Sequence, residues 1–225
     1  MTEAISSWES KVTPYVPNLA YPAFITAVRD AATQFCEKTE IWRETLDRID
    51  VVADEGSVDL AVPGALAGEI VGIGNVKYKE SGADDDQFRT LNPGSKIQEN
   101  LSSYGSWEFQ TSTQPNGYYL GEDKTTLYFY KIPTVESLLG LLVEVILKPT
   151  KDCTTLPDLL WDNWDQAIAD GAKGILLGQN AQPWFNPQLS GAWTGAFMAK
   201  IGEGKRVRYH GYNARPSQVR MREWV

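Results

Sequence analysis

Apolar residues recur every three or four positions in the first and last thirds of the chain, the spacing of one face of a helix. A helix is predicted over residues 22–39, with Pro22 in its first turn. Its apolar stripe consists of Phe24, Ala27, Val28, Ala31, Ala32, Phe35 and Cys36. A shorter helix is predicted over residues 3–12, ended by Pro14 and Pro17.

The last third predicts two more helices. The first opens at Pro157-Asp158 and closes at Gly178, a typical helix terminator. Its apolar stripe is Leu160, Trp161, Trp164, Ile168, Ala172, Ile175 and Leu176. Small residues at Ala167, Gly171 and Gly174 would let another helix approach closely.

The final helix is predicted over residues 187–201. Its inward side chains are expected to be Leu189, Ala192, Trp193, Ala196 and Phe197. The apolar periodicity stops after Gly202 and Gly204, so we expect an extended chain from there to the end.

The middle of the chain alternates apolar and polar residues, which indicates β-strands. The clearest runs are residues 70–79, with Ile70, Gly72, Gly74, Val76 and Tyr78 on one side, and residues 141–148. Pro115-Asn116-Gly117 predicts a hairpin between strands at residues 107–113 and 118–120.

These patterns predict an α+β fold. N- and C-terminal helices, from residues 1–41 and 150–203, would form one helical bundle. An antiparallel β-sandwich or barrel-like domain, residues 42–149, would be inserted between them. Residues 204–225 would form an extended C-terminal arm.

The composition excludes several classes of site. Among 225 residues there are two cysteines, Cys36 and Cys153, without CxxC spacing, and one histidine, His210. A zinc site, a Cys–His pair or a Ser–His triad is therefore hard to assemble. We expect two buried thiols, no metal, no cofactor and no enzymatic activity. No signal peptide or membrane span is predicted, which favours synthesis in a cytosol.

Charge is distributed unevenly along the chain. Residues 200–225 contain seven basic and two acidic residues, a net charge of +5, which leaves −13 on the other 199 residues. We predict that this tail is a partner-binding arm, since Arg and Trp are common interface anchors. Its candidate residues are Lys205, Arg206, Arg208, Tyr209, Tyr212, Arg215, Arg220, Arg222 and Trp224. A frayed, solvated terminus and a nucleic-acid contact are the alternatives, and the acidic body argues against the second.

Three other features have weaker chemical interpretations. Asp84, Asp85 and Asp86 carry oxygen ligands for a divalent cation, but the further ligands and the glycine of an EF-hand are missing, which favours a solvated loop. Glu144, the lone acid in an apolar strand, is expected on the exposed face. The two glycines of Gly72-Ile73-Gly74 lack the third glycine and the helix of a dinucleotide-binding motif, which favours a bulge.

Four stretches resemble the head–tail adaptor, or connector, family of tailed bacteriophages. The family shows a helix ending in Phe-Cys followed by a Trp-Arg-Glu strand start, here at Phe35-Cys36 and Trp42-Arg43-Glu44. The other matching stretches are residues 49–53, 156–158 with 164–172, and 173–177 with 182–187. Together these stretches frame residues 8–209, while residues 81–114 match nothing in the family.

The resemblance implies a structural virion protein that is made in the host cytoplasm and used at the head–tail junction. Twelve copies would form a ring beneath the portal protein. The ring would extend the DNA channel without reading sequence and would support the nozzle, tube or fibre proteins of the tail, with no membrane involved. Another tail-completion protein and a particle-associated cell-wall hydrolase are the alternatives.

Overall fold

The computed structural model describes residues 2–94, 110–180 and 182–210. Within them the chain is α+β with mainly antiparallel sheets, as the sequence predicts. The helices are α1 (Glu9–Val12), α2 (Tyr21–Thr39), α3 (Asp158–Leu177) and α4 (Pro187–His210). The strands are β1 (Thr2–Ala4), β2 (Arg43–Thr45), β3 (Ile49–Val51), β4 (Ser57–Asp59), β5 (Gly68–Tyr78), β6 (Arg89–Thr90), β7 (Asn92–Pro93), β8 (Thr111–Ser112), β9 (Gly117–Leu120), β10 (Thr126–Tyr130), β11 (Ile132–Pro133), β12 (Ser137–Pro149) and β13 (Thr155–Pro157).

The described residues fall into two compact units, each built from separate stretches of chain. The β unit contains residues 2–7 and 42–163, and the helical unit contains residues 8–41 and 164–210. The chain therefore passes from one unit to the other three times. The last passage falls within helix α3.

The β unit is organised around two sheets. One has the strand order β2-β12-β5-β6, with β3 also paired to β12, and the other has the order β4-β10-β9-β7. Two-stranded pairs, β1-β13 and β8-β11, complete the unit. Most pairs are antiparallel, but β7-β9 and β8-β11 are parallel.

Strands β5 and β12 form the longest pairing, and two bulges interrupt it. Glu144 pairs with Asn75 while Val145 pairs with Ile73, so Gly74 has no partner in the ladder. A second shift occurs one pair further along. Each extra residue changes the face to which the next side chain points. Ile73, rather than Gly72 or Gly74, therefore shares its face with Val145, and the simple alternation predicted for residues 70–79 is wrong in the middle.

The hairpin predicted at Pro115-Asn116-Gly117 does not form. Of the strand predicted at residues 107–113, residues 107–109 lie outside the described residues, and Thr111–Ser112 pair with β11 rather than with β9. Strand β9 instead turns back into β10 through residues 121–125. The carboxylate of Asp123 accepts hydrogen bonds from the backbone N–H groups of Thr125 and Thr126, at 3.3 and 3.2 Å, which closes this turn. The two threonine hydroxyls donate to the same carboxylate and are the main cause of its lowered pKa.

The N-terminus differs from the helix predicted over residues 3–12. Residues 2–4 form a strand that pairs with β13, and only Glu9–Val12 is α-helical. Ile5 N donates to Thr154 O at 3.1 Å, which extends the pairing. Pairing with a strand some 150 positions away is not visible in local periodicity.

Helix α2 forms the centre of the helical unit. All seven residues of its predicted stripe are buried. The Phe35 ring lies 5.1 Å from that of Trp164 and 6.2 Å from that of Phe197, so α2 contacts both α3 and α4. The helix ends at Glu40, whose left-handed backbone lets its N–H donate to Cys36 O at 2.8 Å. Cys36 is buried here, and Cys153 is buried in the β unit.

The C-terminal helix is longer than predicted. Helix α4 continues through Gly202 and Gly204 to His210, so residues 204–210 are helical and the expectation of an extended arm from residue 204 is wrong. Glycine lowers helix propensity by only about 1 kcal/mol. At Gly204 that loss is offset by packing, because the position faces Phe35 and Thr39 of α2.

Candidate functional site

Helix α4 packs against α3 through glycines. A Cβ atom at Gly174 would lie 2.7 Å from Thr194 Oγ1, and one at Gly178 would lie 3.0 Å from Ser190 Oγ. The Ser190 hydroxyl donates to Gly174 O at 2.8 Å. Gly171 and Gly174 therefore allow another helix to approach closely, as the sequence predicts. At Gly171 a Cβ atom would lie 2.9 Å from Ala31 Cβ.

The loop before α4 fixes where that helix begins. Asn186 N donates to Leu177 O at 2.9 Å, which ties the loop to the end of α3. The Asn186 side-chain oxygen accepts from Leu189 N at 3.1 Å and caps the new helix. Pro187 then occupies the first helical position, where its missing N–H has no effect.

One flank of α4, roughly 100° around the helix from its buried stripe of Phe197, Ile201 and Gly204, is exposed along its whole length. Its exposed residues recur at steps of four and three positions, the spacing of a helix–helix seam. They are Gly191, Gly195, Met198, Gly202, Lys205 and Tyr209. We call this set the outward seam. Cβ atoms built at its three glycines would meet nothing within 4 Å.

The outward seam is unusual for a solvated helix surface. Each of its glycines lowers helix stability by about 0.8–1.0 kcal/mol relative to alanine. No contact within the described chain explains this loss. Tyr209 is 72% exposed, and Met198 is about half exposed. Small residues beside exposed apolar ones are typical of a surface on which a second helix packs closely.

This packing corrects the predicted orientation of α4. Phe197 is buried as predicted, but Leu189, Ala192 and Ala196 were expected inside and are exposed. Ile201, which the predicted stripe did not include, is buried. The sequence misleads here because small and apolar residues are not confined to the buried face: the single leucine and all three alanines of α4 are exposed, and of its four glycines only Gly204 is buried. The inner face is recognisable only from the glycines of α3 that receive it.

The first four residues of the predicted arm lie on the last turns of α4. Lys205 and Arg206 are exposed, whereas the Arg208 guanidinium pairs with Glu40 Oε2 at 2.5 Å. Arg208 also lies 5.1 Å from the centre of the Tyr209 ring. Cations at a helix C-terminus are stabilised by the helix dipole. Part of the basic run therefore has a role within the fold.

The other five predicted arm residues lie outside the described residues. They are Tyr212, Arg215, Arg220, Arg222 and Trp224.

Sequence reasoning missed a buried lysine on α3. The Lys173 side chain is 1% exposed, and its ammonium lies 2.7 Å from Asp170 Oδ1. The same ammonium lies 3.6 Å from the centre of the Trp193 ring and 4.6 Å from that of Tyr15. Asp170 also accepts a hydrogen bond from Gln166 Nε2 at 2.7 Å. The charge is thus paired, hydrogen-bonded and in contact with two aromatic rings, as a buried charge requires.

The β unit has its own exposed apolar patch where β12 begins. Leu138 is 63% exposed, and Leu139, Val135 and Val52 are each about half exposed. Leu139 has a φ of +50°, a conformation that few residues other than glycine adopt. Asp50 Oδ1 accepts from Leu139 N at 2.6 Å and holds the backbone there. A bulge between Ser137 and Leu141 accompanies this conformation.

The remaining candidates from the sequence have ordinary surroundings. Glu144 is half-buried and lies 3.4 Å from Arg43 Nη1, beside an open pocket of about 190 Å³ on the sheet. Gly74 leaves room for that carboxylate, since a Cβ atom there would lie 2.6 Å from it. Asp84 and Asp86 are exposed. Within residues 2–94, 110–180 and 182–210, no three His, Cys, Asp or Glu side chains are grouped as metal ligands would be.

No protein-family model matches the chain, and no curated protein is similar to it in sequence. Among the described helices, none is long and apolar enough to cross a membrane.

Proposed function

We propose that the chain is a structural virion protein of a tailed bacteriophage, a head–tail adaptor that assembles as a ring of twelve copies under the portal protein. The ring extends the DNA channel and provides the platform for tail components. In this proposal the N- and C-terminal helices form a bundle into which a β-sandwich or barrel-like domain is inserted. The protein is made in the host cytoplasm and functions at the head–tail junction.

The outward seam of α4 is the observation that carries the proposal. A helix with one buried face and one exposed face of glycine and apolar residues is suited to contact a second protein surface. In a ring, each copy contacts its neighbours through the same pair of surfaces. The seam supports assembly with other copies or with the portal, and the family resemblance supports the choice of portal and tail as partners.

Several of the stretches that resemble the adaptor family lie at positions that organise the helical unit. Phe35 and Cys36 are in the buried stripe of α2, and Trp164 contacts Phe35 from α3. The stretch at residues 182–187 contains the Asn186 cap and Pro187, with which α4 starts. These residues have structural reasons to occur in this order, which supports a common fold as the origin of the resemblance.

The basic C-terminus supports portal docking by many weak contacts. One arm binds a portal subunit weakly, but twelve arms on a symmetric partner gain avidity from one another. The binding residues in this proposal are Lys205, Arg206, Arg208 and Tyr209 on α4, together with Tyr212, Arg215, Arg220, Arg222 and Trp224. The charge of −13 on the rest of the chain limits adhesion to DNA passing through the lumen.

Another tail-completion protein is the second candidate, and the same seam favours it. It would bind a tail component instead of the portal. The two candidates differ in the first partner that the chain recognises, so one binding experiment separates them.

The test is analytical ultracentrifugation of the chain with the intact portal ring encoded by the same genome. Full-length protein is compared with a chain ending at His210, which removes the predicted arm beyond α4 but keeps the Arg208–Glu40 pair. Co-sedimentation that is lost on truncation supports both the adaptor and its arm. Co-sedimentation that survives truncation supports the adaptor and places docking elsewhere. No association with the intact portal overturns the adaptor proposal, and association with a tail component instead supports the second candidate.

A further inference from the structure

The buried ammonium of Lys173 is covered by a short segment of chain between α1 and α2. This segment, residues 13–20, begins with a single 3₁₀ turn at Thr13–Tyr15 and continues through Pro17 and Asn18. Tyr15 supplies the cover, because its ring lies 4.6 Å from Lys173 Nζ. Tyr15 is itself 52% exposed, so one aromatic side chain separates the charge from solvent on this side.

The segment has few attachments to the rest of the helical unit. Among residues 13–20, only Val16 is buried, and the others are exposed or half-buried. The backbone hydrogen bond of Val16 N is to Thr13 O, within the segment itself. Asn18 has a φ of +60°, so the chain reverses through a left-handed turn before α2. In contrast, Trp8 and Val12 on the preceding residues are completely buried. Segments with few buried contacts open locally at a lower free energy than the whole fold.

The cluster under this segment joins three elements of the helical unit. Lys173 belongs to α3, Trp193 to α4 and Tyr15 to the covering segment. The Tyr15 and Trp193 rings meet edge to face, with centres 5.4 Å apart and planes at 70°, and the ammonium lies in the corner between them. Removing Tyr15 from this corner leaves Trp193 with one contact fewer and admits water to the charge. The position of the segment is therefore coupled to the packing of α4.

We infer that residues 13–20 form a lid that opens without unfolding of the helical unit, uncovering Lys173 and loosening α4 around Trp193. When closed, the lid holds the corner of rings over the ammonium and fixes α4 on α3. When open, it exposes a cation next to an aromatic ring and a carboxylate, a surface absent from the closed form. The inference does not depend on the adaptor proposal, because it concerns contacts within one chain.

Amine labelling of the native full-length chain tests the lid. The probe is the N-hydroxysuccinimide ester of acetic acid, and the rate of acetylation of each lysine is followed by mass spectrometry. In the wild type we expect Lys173 to react far more slowly than exposed Lys200, but measurably. Low urea concentrations that do not unfold the protein should leave the Lys173 rate almost unchanged, because local opening exposes little new surface. A Lys173 rate that rises with urea as steeply as global unfolding does overturns the inference.

Substitutions of Tyr15 test whether its ring is the group that shields Lys173. Tyr15→Ala should raise the Lys173 rate at least tenfold, leave Lys200 unchanged and speed hydrogen exchange in α4 around Trp193. Tyr15→Phe keeps the ring and should behave as the wild type. Tyr21→Ala is the matched control, since Tyr21 is 54% exposed at the start of α2 and contacts Phe24 instead of the lysine. An unchanged Lys173 rate in a folded Tyr15→Ala protein overturns the inference. If the Tyr15→Ala variant does not fold, the acetylation rates of wild-type Lys173 at several urea concentrations still test the lid.

Discussion

The outward seam of α4 predicts substitutions that stabilise the subunit while weakening its assembly. Cβ atoms at Gly191, Gly195 and Gly202 have open space around them, so alanine fits without strain. Each replacement recovers about 0.8–1.0 kcal/mol of helix propensity. The triple alanine variant should therefore unfold with a free energy about 2.5–3 kcal/mol above that of the wild type.

The measurement is urea unfolding followed by circular dichroism at 222 nm, which reports mainly on the helices. Gly174→Ala is the matched control on α3, because its Cβ atom would lie 2.7 Å from Thr194 Oγ1 and 3.2 Å from Thr194 N. That variant should be destabilised, although its gain in helix propensity is the same. A triple variant no more stable than the wild type would refute the claim that the seam glycines have no role within the subunit.

Assembly is tested with a bulkier side chain. Leucine has nearly the helix propensity of alanine, so Gly195→Leu should also stabilise the isolated subunit. If a second helix packs on the seam, the larger side chain prevents its close approach, and association with the portal or with other copies should fall at least tenfold in analytical ultracentrifugation. Undiminished association of a more stable Gly195→Leu protein would show that the seam is not an assembly surface.

Three further predictions concern buried polar groups. Lys173→Met should lower the free energy of unfolding by about 3–5 kcal/mol, because it leaves the Asp170 carboxylate buried without its cation. The double variant that also carries Asp170→Leu should return to within about 1 kcal/mol of the wild type, as measured by urea unfolding. Trp8→Phe should be destabilised by about 1 kcal/mol more than Trp184→Phe. The reason is that Trp8 Nε1 donates a hydrogen bond to a backbone carbonyl at 3.1 Å, whereas the buried Trp184 Nε1 has no hydrogen-bond partner among the described residues. Burial raises the pKa of Tyr78, so the folded state holds this proton more tightly than the unfolded state. Stability should fall as pH rises through the unfolded-state pKa of about 10, less steeply in Tyr78→Phe, as measured by urea unfolding at several pH values.

Each of these three has an outcome that contradicts it. Additive losses in the Lys173 and Asp170 double variant would mean that the two groups do not stabilise each other. Equal losses in the two tryptophan variants would mean that the hydrogen bond of Trp8 contributes nothing measurable. An alkaline stability profile that is identical in wild type and Tyr78→Phe would show that this hydroxyl is not the group that titrates.

The sequence predicts the elements with one strong periodicity and fails where contacts are distant. The stripe of α2 and the bounds of α3 follow from helical spacing and from Gly178. The pairing of β1 with β13 and the two bulges in β5 depend on partners far along the chain. No local propensity encodes those choices.

The candidate site was only partly recognisable in the sequence, because it too depends on packing between distant parts of the chain. The basic residues of α4 were visible as a run of charge, but its helical conformation depends on Gly204 packing against Phe35. The outward seam was not recognised, because exposed and buried small residues look alike in sequence. The buried Lys173 was missed because lysine is rarely buried, and its pairing with Asp170 and Trp193 exists only in the fold.

The division of the helical unit between the two ends of the chain has a consequence for its synthesis. Helix α2 leaves the ribosome about 120 residues before α3 begins. At ~5–20 residues per second, its apolar stripe waits roughly 6–24 s for a partner. The β unit lies almost entirely within the intervening stretch and can fold during that delay. The helical unit is therefore completed last, and a nascent chain that stops before α4 leaves the Phe35 cluster open to chaperones and proteases.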